Sequence, residues 1–249
     1  FKKMGMGGFH IHCRVGLDTE YLGTEFFSCV EACEKKAKEE GLLCYLYDED
    51  RWPSGSAGGL VTKNPENRTR FLVLSPLGYK ETEEEGYMAA AKAVRSKNRT
   101  HLGYYEIILN EDGFLKPYQY SEKKPENDKN IWEAYLEVSG DTPWFNNQAY
   151  VNTLDKRAIR KFLDITHEQY YEHLGDDFGS EIKSIFTDEP QTTHKGMLIT
   201  PFDKEPVITP FTDDFDITFQ QKYGYSLIER LPEVFWETKD QTGLQVRYH

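Results

Sequence analysis

The 249-residue chain is long enough to bury a full hydrophobic core. Its formal charge of -12 argues against a nucleic-acid binder, which needs a basic face to neutralise phosphates. No apolar run approaches the roughly 20 residues that cross a bilayer, so neither a nucleic acid nor a membrane is an expected partner.

Phe1 to Gly5 reads as a helix end closed by glycine, so the chain is expected to be an excerpt of a longer protein. No secretory leader is visible, and localisation stays unknown. Residues 8–14 alternate in period two and form the first expected strand, with His10, His12 and Arg14 on one face. Thr24 then caps a helix over 24–40, whose stripe is Phe26, Phe27, Val30, Cys33 and Ala37, and Gly41 ends it. A second strand over 42–47 completes a βαβ unit, which favours a parallel sheet. Residues 67–150 do not follow that alternation. Strands over 70–75, 101–109 and 132–138, with the Asn110–Gly113 turn signal, predict a small antiparallel insertion. A helix over 155–174, capped by Asp155, leads to a third apolar strand over 182–187. Residues 191–211 read as loop, followed by a helix from 212 to 223 closed by Gly224. The domain division expected is β/α units over 1–66, a β-rich insertion over 67–150, and further β/α units over 151–249.

Cys13, Cys29, Cys33 and Cys44 contain no C-x-x-C pair, which removes zinc-ribbon and thioredoxin readings. Buried free thiols are expected, and free cysteines lean towards the cytoplasm.

Two strand ends carry chemistry. Thr187-Asp188-Glu189-Pro190 closes the third strand, so Glu189 and Asp188 are the catalytic candidates. A buried glutamate beside Asp188 has its pKa raised, which suits a general acid, and glycosidic cleavage needs such an acid with a second carboxylate. Asp48-Glu49-Asp50-Arg51-Trp52 closes the second strand. Asp48, Asp50 and Arg51 are candidate partners for sugar hydroxyls, and Trp52 for a stacking platform. The small-residue loop Pro53 to Gly59 lacks the Lys-Ser/Thr of a phosphate loop. His10 and His12 support a rival reading, a metal-dependent, amidohydrolase-like hydrolase. As polar pocket residues with Arg14 they serve sugar binding instead. A barrel fragment that binds glycans without cleaving them is the third reading.

The segments GGFHIHCRVGLDTEYLG, YDEDRWPSGSAGG and IFTDEP, in this order, resemble the barrel of α-L-rhamnosidase-like glycoside hydrolases (the family 106 type) and their uncharacterised relatives. The Thr-Asp-Glu-Pro run is also similar to the Asn-Glu-Pro after the fourth strand of many retaining barrel glycosidases, with Asp188 in place of the asparagine. The resemblance covers roughly residues 4–62 and 150–225. It implies an α/β fold of the (β/α)8 TIM-barrel type, partial in this chain, with strands two to four visible. It further implies Glu189 as the acid, a carbohydrate substrate, and calcium as the cofactor, with Asp48, Asp50 or Asp188 as ligands. A partial barrel is expected to pair with the remainder of its chain or with a second copy.

Overall fold

The computed structural model describes residues 1–13, 16–80 and 94–249. Its strands are β1 (Gly8–His10), β2 (Leu43–Tyr47), β3 (Arg70–Pro76), β4 (Arg99–Glu106), β5 (Tyr120–Ser121), β6 (Ile131–Val138), β7 (Ile185–Phe186) and β8 (Val207–Pro210). Its α-helices are α1 (Thr24–Glu40), α2 (Lys156–Ile165), α3 (His167–Leu174), α4 (Phe215–Tyr223) and α5 (Leu244–Tyr248). Two compact units divide the chain: Phe1–Arg68 with Asp141–Thr192, and 69–80 with 94–140 and Thr193–His249.

The first unit holds a parallel sheet in the order β1-β2-β7. His10 lies opposite Tyr45, and Tyr47 opposite Phe186. Helix α1 forms where the apolar stripe predicts it. Gly41 adopts a left-handed conformation at its C-cap and donates to the Ala37 and Lys38 carbonyls. The stripe differs at one place: Glu34 is buried and Cys33 is exposed. Phe26, Phe27 and Val30 pack with Leu46, Phe162, Tyr170 and Leu174 into the core of this unit. All four cysteines are free; Cys13 and Cys44 are buried, whereas Cys29 and Cys33 are exposed.

The helix expected over 155–174 is two helices. Asp155 caps the first by accepting from the Arg157 N–H at 2.8 Å. At Thr166 the backbone leaves the regular helical angles, and the Thr166 hydroxyl donates to the Phe162 carbonyl at 2.7 Å. The break sets His167 at the start of α3. Strand β7 is shorter than expected, yet the pairing with β2 continues at both ends. The Cys44 N–H donates to the Glu181 carbonyl at 3.1 Å, and the Asp48 N–H to the Phe186 carbonyl at 3.2 Å.

The second unit is an antiparallel sheet in the order β5-β4-β6-β3-β8. Strand β3 is paired on both edges, and its apolar run Phe71-Leu72-Val73-Leu74 is fully buried on both faces. Leu72, Leu74 and Trp132 pack with Leu227, Leu231 and Trp236. The two indoles meet edge to face at 5.0 Å.

This architecture corrects the fold expectation. The described residues form no (β/α)8 barrel; the fold is mixed α/β, with a three-stranded parallel sheet and a five-stranded antiparallel one. The βαβ unit is real, but it does not propagate after β7. Instead, residues 207–210, expected in a loop, form β8 and extend the antiparallel sheet beside β3. Those antiparallel strands carry their own core, so they are not a small insertion in a barrel. No helix of the described residues is long and apolar enough to cross a membrane.

Candidate functional site

Because β2 and β7 are parallel neighbours, their carboxyl ends deliver the segments 48–52 and 187–189 side by side. This end of a parallel sheet is where α/β folds commonly bind ligands. The two acidic runs singled out in the sequence therefore meet in one place, within the first unit.

Asp48 is completely buried. Its Oδ1 accepts from the Ser54 hydroxyl at 2.7 Å and its Oδ2 from the Thr187 hydroxyl at 2.6 Å. His167 Nε2 lies 3.4 Å from Oδ2, and the other ring nitrogen is 3.0 Å from the Thr166 hydroxyl. Burial raises the Asp48 pKa; the two hydroxyls and the His167 charge pull it back. Ser54 links the strand ends further, since its Oγ accepts from the Asp188 N–H and its own N–H donates to the Asp188 carbonyl, both at 2.9 Å.

Glu49 is also completely buried, on the opposite side of the chain. It accepts from five backbone N–H groups, those of Asp50, Gly55, Ser56, Ala57 and Gly58. The small-residue loop is thus wrapped around a carboxylate of its own chain. Burial pushes the Glu49 pKa up to about 7 against these donors. Gly59 follows with φ 89°, and a Cβ there would lie 2.6 Å from the Phe145 carbonyl oxygen. Asp50 is buried as well; its Oδ2 accepts from Arg51 Nε at 3.0 Å and from Asn146 Nδ2 at 3.1 Å. Arg51 also donates to Asn146 Oδ1 at 3.0 Å. Asp48, Asp50 and Arg51, expected to face sugar hydroxyls, are therefore engaged in the frame of the site.

Glu189 is exposed, where a buried side chain was expected. It has φ 42°, a left-handed conformation that costs a non-glycine residue about 1 kcal/mol. The Trp52 indole N–H donates to its Oε2 at 3.0 Å. Trp52 is held in turn by the Trp144 indole, which donates to the Trp52 carbonyl at 2.6 Å. The carboxylate of Asp188 is half-buried and makes no hydrogen bond or ion pair among the described residues.

His10 and His12 belong to an aromatic face of the parallel sheet. His12 stacks on Tyr47 at 3.9 Å, His10 stacks on Tyr45 at 4.9 Å, and Phe186 lies against both histidines. The Nδ1 of His12 is 2.8 Å from the Cys13 carbonyl oxygen. Among the described residues no three His, Cys, Asp or Glu side chains converge to hold a metal ion. Arg14 lies outside the described residues.

Sequence reasoning passed over four residues of this frame: Ser54, Asn146, Tyr150 and His167. The Tyr150 hydroxyl donates to the Ser54 carbonyl at 2.7 Å and accepts from the Gln191 N–H at 3.1 Å. Asn146, Tyr150 and His167 reach the strand ends from distant segments, so no local pattern joins them to the site, whereas Ser54 lies in the small-residue loop just after Trp52.

Neither a family model, nor a curated protein, nor a solved structure matches this chain.

Proposed function

We propose that this chain carries a carbohydrate site of a glycoside hydrolase, with Glu189 as the general acid. The observation that carries the reading is the Trp52 indole N–H on the Glu189 carboxylate, 3.0 Å away. It sets a flat aromatic ring and an exposed carboxylate together at the carboxyl ends of two parallel strands. Sugar C–H faces pack on such rings, and an acid beside the ring reaches a glycosidic oxygen. Asp188 is the second carboxylate of the site. Its side chain has no internal partner among the described residues, which leaves it available to a water molecule or a sugar hydroxyl. The resemblance of 7–23, 47–59 and 185–190 to α-L-rhamnosidase-like enzymes points to the same chemistry.

In this reading Glu189 protonates the leaving oxygen as the bond to the sugar breaks, a water molecule that yields a proton to Asp188 forms the new bond to the anomeric carbon, and the Trp52 N–H steadies the Glu189 carboxylate that results. A panel of alkyl glycosides, whose departing oxygens need a proton, incubated with the complete protein tests it. Release of the alcohol by the wild type, reduced by about 10²-fold or more in Glu189→Gln, supports the reading. Sugar binding without release makes the site a glycan-binding one, and equal release by both proteins removes Glu189 as the acid.

A further inference from the structure

Asp48 is the point from which the Glu189 segment is held. One carboxylate oxygen accepts from the Thr187 side chain, two residues before Glu189, at 2.6 Å. The other accepts from Ser54, whose Oγ and N–H both bond the backbone of Asp188, the residue immediately before Glu189. Two arms thus run from one buried carboxylate to the two residues that precede a strained one. A φ of 42° is one that a non-glycine residue rarely adopts, and the bonds to Asp188 and Gln191 restrain the segment on either side of it. On the other side of Pro190, the Tyr150 hydroxyl fixes the Gln191 N–H and also bonds the Ser54 carbonyl. The restraint therefore converges on Ser54 from both sides of Glu189.

We propose that Asp48 is a positioning residue: acting through the Thr187 and Ser54 hydroxyls, it holds Glu189 in the left-handed conformation that places its carboxylate on the Trp52 indole. The His167 ring nitrogen Nε2 lies 3.4 Å from the Asp48 carboxylate. The catalytic consequence rests on the reading of Glu189 as the acid, whereas the positioning itself does not. Asp48 touches no substrate in this account, and its burial leaves it no route to one.

The indole N–H of Trp52 reports the geometry directly. The sequence holds four tryptophans, Trp52, Trp132, Trp144 and Trp236, so a proton–nitrogen NMR spectrum resolves few indole signals and Trp52→Phe assigns the one that matters. Glu189→Ala gives the position of that signal without the carboxylate. Thr187→Val removes one arm and is expected to move the Trp52 signal towards the Glu189→Ala position, while the Trp132 and Trp236 signals stay in place. Thr187→Ser, which keeps the hydroxyl, is expected to restore the wild-type position. If Thr187→Val does not fold, Ser54→Ala cuts the other arm and is read in the same way. A Trp52 signal unmoved in the folded Thr187→Val or Ser54→Ala protein overturns the proposal. A moved signal with glycoside release unaffected by Glu189→Gln upholds the positioning and rejects the acid.

Discussion

Trp52 and Glu189 stand 137 residues apart in the chain, yet the indole N–H of one meets the carboxylate of the other at 3.0 Å. The pairing follows from the parallel register of β2 and β7, which brings two strand ends to one edge. It unites an aromatic ring with a carboxylate whose own backbone is strained. Replacing Trp52 with Phe keeps a ring and deletes the donor. A hydrogen bond to a charged group contributes about 1.5 kcal/mol, so turnover of a cleaved glycoside is expected to fall about tenfold, with a smaller change in KM. Steady-state kinetics on one alkyl glycoside check this, and an unchanged kcat would leave the indole with a stacking role alone.

Glu49 is the structural centre of the loop after β2. Glu49→Ala strands five backbone N–H donors that the fold keeps away from water. The expected loss of stability is on the order of 3–5 kcal/mol, read as a lower denaturant midpoint with an unchanged slope. A loss below about 1 kcal/mol would mean that water replaces the carboxylate freely.

The pH dependence of stability follows from the same residue. Burial raises the folded Glu49 pKa to about 7, above its ordinary 4.5. Below 4.5 the group is protonated in both folded and unfolded chains, and its full contribution is present. As pH rises from 4.5 to 7 the unfolded chain releases the proton first, so stability falls, by up to about 3 kcal/mol. Asp48, also raised by burial, acts in the same direction. Denaturation midpoints across this range are expected to decline in the wild type and to flatten in Glu49→Gln. A wild-type midpoint that rises from pH 4.5 to 7 contradicts the assignment.

Gly59→Ala tests how closely the loop approaches the 145–148 segment. The added Cβ meets the Phe145 carbonyl oxygen at 2.6 Å and the Gln148 side chain at 2.8 Å, at a φ that disfavours any side chain. About 2 kcal/mol of stability is expected to be lost, measured by chemical denaturation. Gly41→Ala, with open space around its Cβ, is the control and is expected to cost only the strain of its left-handed backbone, about 1 kcal/mol.

Local patterns made much of the fold legible. The stripe of Phe26, Phe27, Val30 and Ala37, closed by Gly41, marks α1, and Asp155 marks the start of α2. The alternation and the acidic closures mark β2 and the end of β7. Strands β3, β4 and β6 of the antiparallel sheet were readable individually, but β5 and β8 were not. Val207-Ile208-Thr209-Pro210 is short and ends in proline, and only its pairing with β3 makes it a strand. The barrel expectation failed because three parallel strands cannot specify how many follow. At the site, residue type pointed to Glu189, Asp188 and Trp52. It could not show that Asp48 and Asp50 are buried, because an acidic run at a strand end looks the same whether it faces solvent or accepts from Ser54, Thr187 and Asn146. Glu189 was expected to be buried and is exposed, at a left-handed turn that no local pattern announces.

The leaving-group dependence of Glu189→Gln tests the acid most directly. A general acid matters most when the departing oxygen is a poor leaving group and least when it leaves unaided. Turnover of an alkyl glycoside by the variant is expected to fall by about 10²- to 10⁴-fold, whereas turnover of the matching dinitrophenyl glycoside stays within about tenfold of wild type. Equal losses on the two substrates, or no loss on either, would contradict the assignment of Glu189 as the proton donor.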